Sequence, residues 1–455
     1  MRLAPRRASL LALTAALALG GCVGDGDDVV TTVDLPRQGG NLFTRYVALG
    51  NSITAGFQSG GIVAGTQQQS YVALLAQRAG VTNFGLPLFN APGCPAPFST
   101  PLGVGSPPPP VPCAGRSTDP AAQRPTQNLA VPGAKIADLF EVPVNSSIGS
   151  LYTFITGGRS QVDAMLDYRP TFVSVWIGNN DALDAATRGR LGPLAGADSL
   201  LTPLPVFQEY VRRLADSVRV ATPISAMFVG VVDPVTAAPI LQPGAYFWLA
   251  RDVATNTFFG KPVNATCSPL NNLGQPNPLA ANLVSFRILS DATVPEINCD
   301  PSAQGGAYLL DQAEITVLRN RIAAYNTALR TAATANGWIF VNPNTILQPL
   351  LNDTTVRTPS TPTAITGLYN NVRKCQLLAT ATTPAQIQNA ILKSCPVIAS
   401  GATDPRAPFV APNVFGRLIS FDAVHPSSAA HTFLAGTFAD SLNRRFGTTL
   451  SNVKQ

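Results

Sequence analysis

Residues 171–178 constrain the fold most, because nearly all of them are apolar or β-branched and they read Thr-Phe-Val-Ser-Val-Trp-Ile-Gly. A run without polar alternation is typical of a central parallel strand that is covered on both faces. Shorter runs of the same kind occupy residues 46–50, 224–232 and 338–341. The sequence therefore predicts several buried strands.

Segments with helical spacing separate these strands. Apolar residues recur on one face within 70–78, 206–218, 312–335 and 429–446. Gly337 follows the third segment, in a position typical of a helix C-terminal cap. Because strands and helices alternate, the sequence favours an α/β fold with a parallel sheet between two helix layers.

The remaining stretches are rich in proline and glycine, of which the chain has 40 and 37. We interpret them as long loop insertions on one framework, at residues 57–127, 183–200, 236–310 and 343–415. No internal repeat and no clear linker divides the sequence. We therefore predict a single domain over residues 41–455.

The N-terminal residues have the pattern of a secretory signal. Three arginines precede an apolar run at residues 8–19, which is too short to span a bilayer. The Leu-Gly-Gly-Cys sequence at 19–22 resembles a bacterial lipobox. That resemblance implies a lipoprotein signal peptide at residues 1–21 and acyl chains on Cys22, which hold the protein at a membrane. The alternative is an ordinary cleaved signal followed by a chance cysteine.

Residues 22–40 contain aspartates separated by glycines and are predicted to be a flexible tether. Val23, rather than Asp, follows the cysteine, and by resemblance to known lipoprotein sorting rules this favours the outer membrane in a host that has one. We therefore expect an exported lipoprotein of the cell envelope. Removing the signal leaves 28 of the 31 basic residues against 25 acidic ones, a formal net charge of +3. This charge is too small to indicate a nucleic-acid partner.

Six cysteines remain once Cys22 is set aside. An even number in an exported chain suggests disulfides, whose pairing the sequence leaves open. Nearest-neighbour pairing would give Cys94–Cys113, Cys267–Cys299 and Cys375–Cys395. A zinc site is disfavoured because the chain has no C-x-x-C pair and contains only two histidines. We expect no metal.

Two blocks carry the groups that a serine nucleophile needs. Ser52 lies in Gly-Asn-Ser-Ile-Thr-Ala-Gly at 50–56, directly after a strand, where parallel sheets place their sites. Asp422 and His425 are three residues apart, and serine acyl transfer needs an imidazole base that a carboxylate orients. His431, the other histidine, has no carboxylate close in sequence and is interpreted as structural. Each block alone is also consistent with a turn or a helix cap.

Two further blocks can supply hydrogen-bond donors. Asn180 lies in Gly-Asn-Asn-Asp at 178–181, just past the strongest strand, where an amide can donate to an oxyanion. Gly133, in Asn-Leu-Ala-Val-Pro-Gly-Ala at 128–134, can offer a backbone N–H in a conformation that glycine tolerates. Taken singly, both blocks are equally typical of turns.

These four blocks, in this order, resemble the SGNH or GDSL hydrolases. The resemblance implies a three-layer α/β/α sandwich with a flavodoxin-like parallel sheet. It implies that Ser52 is the nucleophile, His425 its base and Asp422 the third member of the triad. It further implies an oxyanion hole built from the N–H groups of Ser52 and Gly133 and the side chain of Asn180.

The sequence departs from the family pattern at two positions. The first block reads Gly-Asn-Ser-Ile rather than Gly-Asp-Ser-Leu, so Asn51 removes a charge beside Ser52 but leaves the serine and its turn. Pro132 precedes Gly133 and can shift the loop that carries it. The resemblance frames nearly the whole mature chain, with insertions between the motifs.

The resemblance implies a serine esterase or lipase that hydrolyses carboxylic esters through an acyl-enzyme intermediate at a membrane surface, without a cofactor. The expected substrate is an ester of a lipid or an acylated glycan, and the expected state is a monomer. Aromatic residues of the insertions either line an acyl site or form small cores under the loops. They are Phe57, Phe84, Phe89, Phe98, Tyr246, Phe247 and Trp248.

Two other classes of function stay open at this point. One is a non-catalytic lipoprotein of the same fold that binds a surface glycan or protein. The other is a flavodoxin-like nucleotide binder, and the lack of a phosphate-binding glycine motif counts against it.

Overall fold

The computed structural model describes residues 41–103, 115–117, 125–143, 147–189, 191, 200–221, 224–351, 372, 374, 383, 386 and 414–454. Every described residue belongs to one compact unit, Gln38–Gln455. The predicted signal peptide at 1–21, the lipid-attachment site at Cys22 and the whole tether at 22–40 lie outside the described residues.

Four parallel strands form the central sheet. Their order is β1 (Tyr46–Gly50), β2 (Phe172–Trp176), β3 (Ser225–Val229) and β9 (Ile339–Val341). These are the four strands that the apolar runs predict: β1 matches its run, and the other three are one to four residues shorter than theirs. The predicted parallel sheet is confirmed.

A fifth extended segment lies on the other side of β1. The Ala48 N–H donates to the Gln127 carbonyl and the Leu129 N–H donates to the Ala48 carbonyl, both at 2.9 Å, around a parallel bridge between Ala48 and Asn128. With this segment, the strand order by chain position is 2-1-3-4-5, as in flavodoxin. The order reverses between β1 and β2, and such a point is where parallel sheets bind ligands, at the carboxyl ends of the strands.

The two faces of the sheet contribute to two separate apolar cores. Val47 and Val173 belong to one core, whereas Tyr46 and Phe172 belong to the other. Successive strand residues point to opposite faces, so a sheet covered on both sides needs apolar residues at every position. This explains the unbroken apolar runs and confirms the three-layer arrangement.

Helices cover both faces. Helices α3 (Tyr71–Arg78) and α12 (Ser428–Phe446) pack on the core that contains Tyr46. Helices α5 (Gln161–Tyr168), α7 (Leu204–Ala221) and α10 (Gln312–Ala335) pack on the core that contains Val47. Within the described ranges, no helix has the length and apolarity to cross a membrane. The α-helices there are α1 (Ser52–Ala55), α2 (Ala64–Gln68), α3 (Tyr71–Arg78), α4 (Ser147–Thr156), α5 (Gln161–Tyr168), α6 (Asn180–Arg188), α7 (Leu204–Ala221), α8 (Pro234–Ala237), α9 (Gly244–Ala250), α10 (Gln312–Ala335), α11 (Pro343–Leu351) and α12 (Ser428–Phe446).

Local sequence sets several helix ends. The Ser70 hydroxyl accepts from the Ala73 N–H at 3.4 Å and caps α3. Helix α12 ends at Gly447, which has a φ of 64°. Helix α10 ends as predicted, because its C-cap residue Asn336 is followed by the left-handed Gly337, which has a φ of 69°.

The insertion at 236–310 contains more regular structure than a loop-rich sequence predicts. Besides α8 and α9, it holds a small antiparallel sheet of β4 (Leu241–Pro243), β7 (Leu283–Ser285) and β8 (Leu309–Leu310). A hairpin joins β5 (Thr257–Phe258) and β6 (Lys261–Pro262). Strands of two or three residues are too short to produce a recognisable alternation in sequence.

The structure contains the disulfide Cys267–Cys299 within this insertion, with Cα atoms 5.1 Å apart. Cys94 is also disulfide-bonded, and its partner lies outside the described residues. Cys113, Cys375 and Cys395 lie outside the described residues as well. The pairs Cys94–Cys113 and Cys375–Cys395 therefore stay predictions.

Candidate active site

Ser52 begins α1 immediately after the carboxyl end of β1. The Asn51 side-chain oxygen accepts from the Ile53 N–H at 3.1 Å and caps this short helix. An amide oxygen caps a helix about as well as a carboxylate does. The replacement of the family's aspartate by Asn51 therefore keeps the turn that presents Ser52, as the sequence predicts.

The turn before the serine requires glycine. A Cβ atom on Gly50 would lie 2.5 Å from the Thr54 hydroxyl oxygen and 2.6 Å from the Trp176 carbonyl oxygen. The Gln161 side chain accepts from the Gly50 N–H and donates to its carbonyl, both at 2.9 Å. Gln161 thus fixes the backbone beside the serine, a role that sequence analysis missed because the residues are 111 positions apart.

Ser52, His425 and Asp422 form one hydrogen-bonded series. The Nε2 atom of His425 lies 2.8 Å from the Ser52 Oγ, and its Nδ1 atom lies 2.7 Å from the Asp422 Oδ2. The sequence separation of serine and histidine is 373 residues. In this arrangement the imidazole can take the hydroxyl proton while the carboxylate fixes its tautomer and orientation.

Asp422 is held as a carboxylate. Its oxygens accept from the backbone N–H groups of Gly60 at 2.6 Å, Val424 at 2.9 Å and His425 at 2.8 Å. Burial alone would raise the pKa of Asp422, but the charge of His425 and hydrogen bonds from His425 and Val424 bring that pKa well below its usual range. The charged form therefore persists beside the imidazole.

The loop after α1 positions the turn that carries the histidine. The Ser59 N–H donates to the Ser420 hydroxyl at 2.8 Å, and the Phe421 N–H donates to the Ser59 hydroxyl at 3.2 Å. The Phe57 ring packs on the imidazole of His425 with ring centroids 4.8 Å apart. The positioning roles of these residues could not be predicted from sequence, because contacts between loops about 360 positions apart leave no local pattern.

The predicted oxyanion-hole residues lie at the same place. Gly133 has a φ of 84°, which favours glycine, and Asn180 begins α6 just past β2. The Asn180 Nδ2 donates to the Ala134 carbonyl at 3.0 Å, which uses one of its two N–H groups. Ser52, Gly133, Asn180 and His425 all line one cavity. The structure thus brings together every residue that the resemblance places in the triad and the oxyanion hole.

Asp181 ties the Gly133 loop to α6. It is 1% exposed, and its carboxyl oxygens accept from the Ile136 N–H at 3.0 Å and the Thr202 hydroxyl at 2.8 Å. Burial raises the pKa of Asp181 to about 7. The Gly-Asn-Asn-Asp block drew attention to Asn180, but nothing in it revealed this role for the aspartate.

His431 does not face the reacting groups. It is buried on α12, and its Nδ1 accepts from the Tyr71 N–H at 3.2 Å. Burial, reinforced by the charge of His425, lowers the pKa of His431 to about 3. His431 is therefore neutral and structural, in agreement with the interpretation from sequence.

Two cavities meet at Ser52 and His425. The wider one, of about 610 Å³, is bordered by Gly133 and Asp422. The narrower one, of about 100 Å³, runs between α6, α8, α11 and α12.

Some of the seven aromatic residues predicted in the insertions line a cavity of the site, and the others pack elsewhere in the fold. Phe57 and Phe98 line the wider cavity. Tyr246 and Phe247 are instead buried in an aromatic cluster with Phe258. The remaining three residues pack against neighbouring aromatic or cationic groups: Phe84 on Tyr46, Phe89 on Phe154, and Trp248 under Arg251.

A serine, an imidazole and a carboxylate in hydrogen-bonded series at the carboxyl end of a parallel sheet define a serine hydrolase site. The sequence matches the GDSL-like lipase/acylhydrolase family over residues 46–437, and the chain belongs to this family. It is accordingly a carboxylic ester hydrolase. Within the described ranges, no group of three or more His, Cys, Asp or Glu residues could hold a metal ion.

Solved structures with partial similarity include other hydrolases. An acetylxylan esterase from Geobacillus stearothermophilus is 12% identical, covers 90% of this chain and 96% of its own, and has a TM-score of 0.34. LAE5, an α/β hydrolase from the metagenome of Lake Arreo in Spain, is 13% identical, with coverages of 88% and 94% and a TM-score of 0.33. An extracellular lipase from Streptomyces rimosus is 14% identical, with coverages of 67% and 81% and a TM-score of 0.27. At these values the similarities carry no argument about substrate. No curated protein matches the sequence.

Proposed function

We propose that the protein hydrolyses carboxylic esters through a covalent acyl intermediate on Ser52. The observation that carries the proposal is the series of short contacts from the Ser52 Oγ to His425 and on to Asp422, at 2.8 and 2.7 Å. His425 takes the proton from Ser52 as the serine oxygen attacks the ester carbonyl. The same imidazole then protonates the departing alcohol, and water repeats the sequence to release the acid.

The oxyanion of the tetrahedral intermediate would be held by three donors. They are the N–H groups of Ser52 and Gly133 and the free N–H of the Asn180 amide. Because Asn180 is already anchored to the Ala134 carbonyl, its amide is oriented before substrate arrives. One such donor is worth about 3 kcal/mol of barrier.

We further propose that acyl chains on Cys22 hold the enzyme at the outer membrane, with residues 22–40 as the tether. The lipobox-like sequence at 19–22 supports this proposal. A tethered enzyme would meet its ester substrate at the membrane surface. We expect it to act as a monomer, without a cofactor or a nucleic-acid partner.

The proposal is tested with a fluorophosphonate probe, which reacts with activated serines, followed by assays on p-nitrophenyl esters. The wild type should be labelled and should hydrolyse the esters. Ser52→Ala should abolish both signals, because it removes the nucleophile. The matched control is Ser302→Ala, at an exposed serine of the insertion, which should keep both. A folded wild type that is neither labelled nor active would instead favour a non-catalytic binding protein.

A further inference from the structure

The narrow cavity is apolar beyond the reacting groups. The described residues that line it include Leu183, Ala237, Ile346, Leu347 and Phe433. Among the described lining residues, the polar side chains apart from the indole of Trp176 are those of Ser52 and His425 and the adjacent asparagines at 179 and 180. Water gains few hydrogen-bond partners in such a space, whereas an aliphatic chain loses none.

The wider cavity carries charged groups. Asp184 and Arg287 both line it and form a salt bridge of 3.4 Å, with 40% and 34% of their side chains exposed. Ser290 adds a hydroxyl to the same lining. This cavity is six times the volume of the narrow one, at about 610 against about 100 Å³. Phe98, Phe286 and Leu289 also line it, so the cavity is amphipathic, and its charged groups and larger volume allow it to hold a hydrated, polar group.

The order of bond changes assigns the two halves of an ester to the two cavities. The alcohol leaves first, while the acyl group stays bonded to the Ser52 oxygen. Water must then reach the acyl carbon from the side that the alcohol has vacated, because His425 serves both steps. The alcohol side must therefore admit water, which fits the wider cavity. The acyl side need not admit water, which fits the narrow one.

We propose that the narrow cavity binds the acyl chain and the wider cavity the alcohol, so that the substrates are esters of aliphatic acids longer than acetate with a polar alcohol. This inference rests on the proposed function. It favours acylglycerol-like amphiphiles over acetylated glycans, because an acetyl group would leave the apolar cavity unfilled. Each methylene buried there should raise kcat/KM about fourfold until the cavity is full.

The test compares p-nitrophenyl esters from acetate to octanoate. The wild type should prefer hexanoate over acetate by at least tenfold in kcat/KM. Leu347→Trp fills the narrow cavity and should reduce this hexanoate-to-acetate ratio by at least tenfold. Leu347→Ala widens the cavity and should shift the optimum to longer chains, which provides a second readout if the tryptophan variant does not fold.

The matched control is Leu289→Trp, which adds the same bulk to the wider cavity and should leave the hexanoate-to-acetate ratio unchanged. A wild type that prefers acetate would overturn this assignment, even though probe labelling of Ser52 would leave the proposed function intact. The assignment would also be overturned if the hexanoate-to-acetate ratio changed in the variant at residue 289 and not in the variants at residue 347. Absence of both labelling and hydrolysis would instead reject the proposed function itself.

Discussion

The pKa values of two buried aspartates near the site are shifted in opposite directions. Asp422 faces the imidazole and several N–H donors, and its pKa lies well below the usual range. Asp181 faces one N–H and one hydroxyl, and burial raises its pKa from 3.8 to about 7. The number of donors around each carboxyl, together with the charge of His425, accounts for the difference.

Asp181 should make stability fall with rising pH. Its pKa is higher in the folded state than in the unfolded chain, so the stabilisation is complete below about pH 4 and is lost as the pH rises through about 7. In Asp181→Asn, the amide can accept from Ile136 and donate to the Thr202 hydroxyl without ionising. Between about pH 5 and pH 8.5, the wild type should lose about 3 kcal/mol of unfolding free energy more than the variant. Urea titrations at both pH values measure this difference. Equal losses of unfolding free energy in the wild type and in Asp181→Asn would contradict the prediction.

Asp422→Asn should lower kcat by about 10³ to 10⁴. The amide of the variant places its own N–H group among the backbone N–H groups and the imidazole N–H that need an acceptor there. The uncharged amide also no longer stabilises the imidazolium. The control is Asp167→Asn, at a carboxylate with 66% of its side chain exposed, which should keep full activity. Initial rates on one p-nitrophenyl ester compare the two variants. A loss of less than tenfold in a folded Asp422→Asn protein would show that His425 works without this carboxylate.

Among the structural elements, the strands of the central sheet and the three longest helices could be predicted from sequence, and the short elements of the insertions could not. The strand at 172–176 and the helix at 312–335 carry enough apolar periodicity to identify them. The extended segment at 127–129 follows a proline-rich loop and joins the sheet through one bridge, so no pattern reveals it. The three-stranded sheet of the insertion was missed for the same reason.

The disulfide Cys267–Cys299 should stabilise the insertion that carries Arg287 and Leu289. It closes a loop with a sequence separation of 32, which corresponds to about 3 to 4 kcal/mol from restricting the unfolded chain. Replacing both cysteines by alanine should lower the unfolding free energy by that amount. Denaturant unfolding of variant and wild type in the same non-reducing buffer tests this. An unchanged midpoint and slope would mean that the bridge contributes nothing to stability.

On the scale of the whole molecule, the site joins four distant parts of the chain. The end of β1, the 128–134 loop, the start of α6 and the turn before α12 meet at one edge of the sheet. The order of short motifs was enough to predict which residues meet there. The cavities could not be predicted, because their walls combine insertion residues with residues of several helices, and only the folded chain brings these together.

The membrane anchor is a property of the whole chain and is tested by fractionation. Cys22→Ala removes the thiol that would carry the acyl chains, so the protein should move from the membrane fraction to the soluble fraction. Esterase activity of the released protein should be unchanged, because the proposed tether separates residue 22 from the folded unit. Ser52→Ala is the matched control and should stay with the membranes. Membrane association of Cys22→Ala would contradict the lipid anchor.

The acyl-serine intermediate is the central claim and can be observed directly. The enzyme is mixed with excess p-nitrophenyl hexanoate, quenched in acid within the first turnovers, digested and analysed by mass spectrometry. We expect a hexanoyl group on the peptide that contains Ser52, and no such group in Ser52→Ala. Two results would contradict an acyl intermediate on Ser52. One is ester hydrolysis with the acyl group on another residue. The other is an early burst of p-nitrophenol without any acylated peptide.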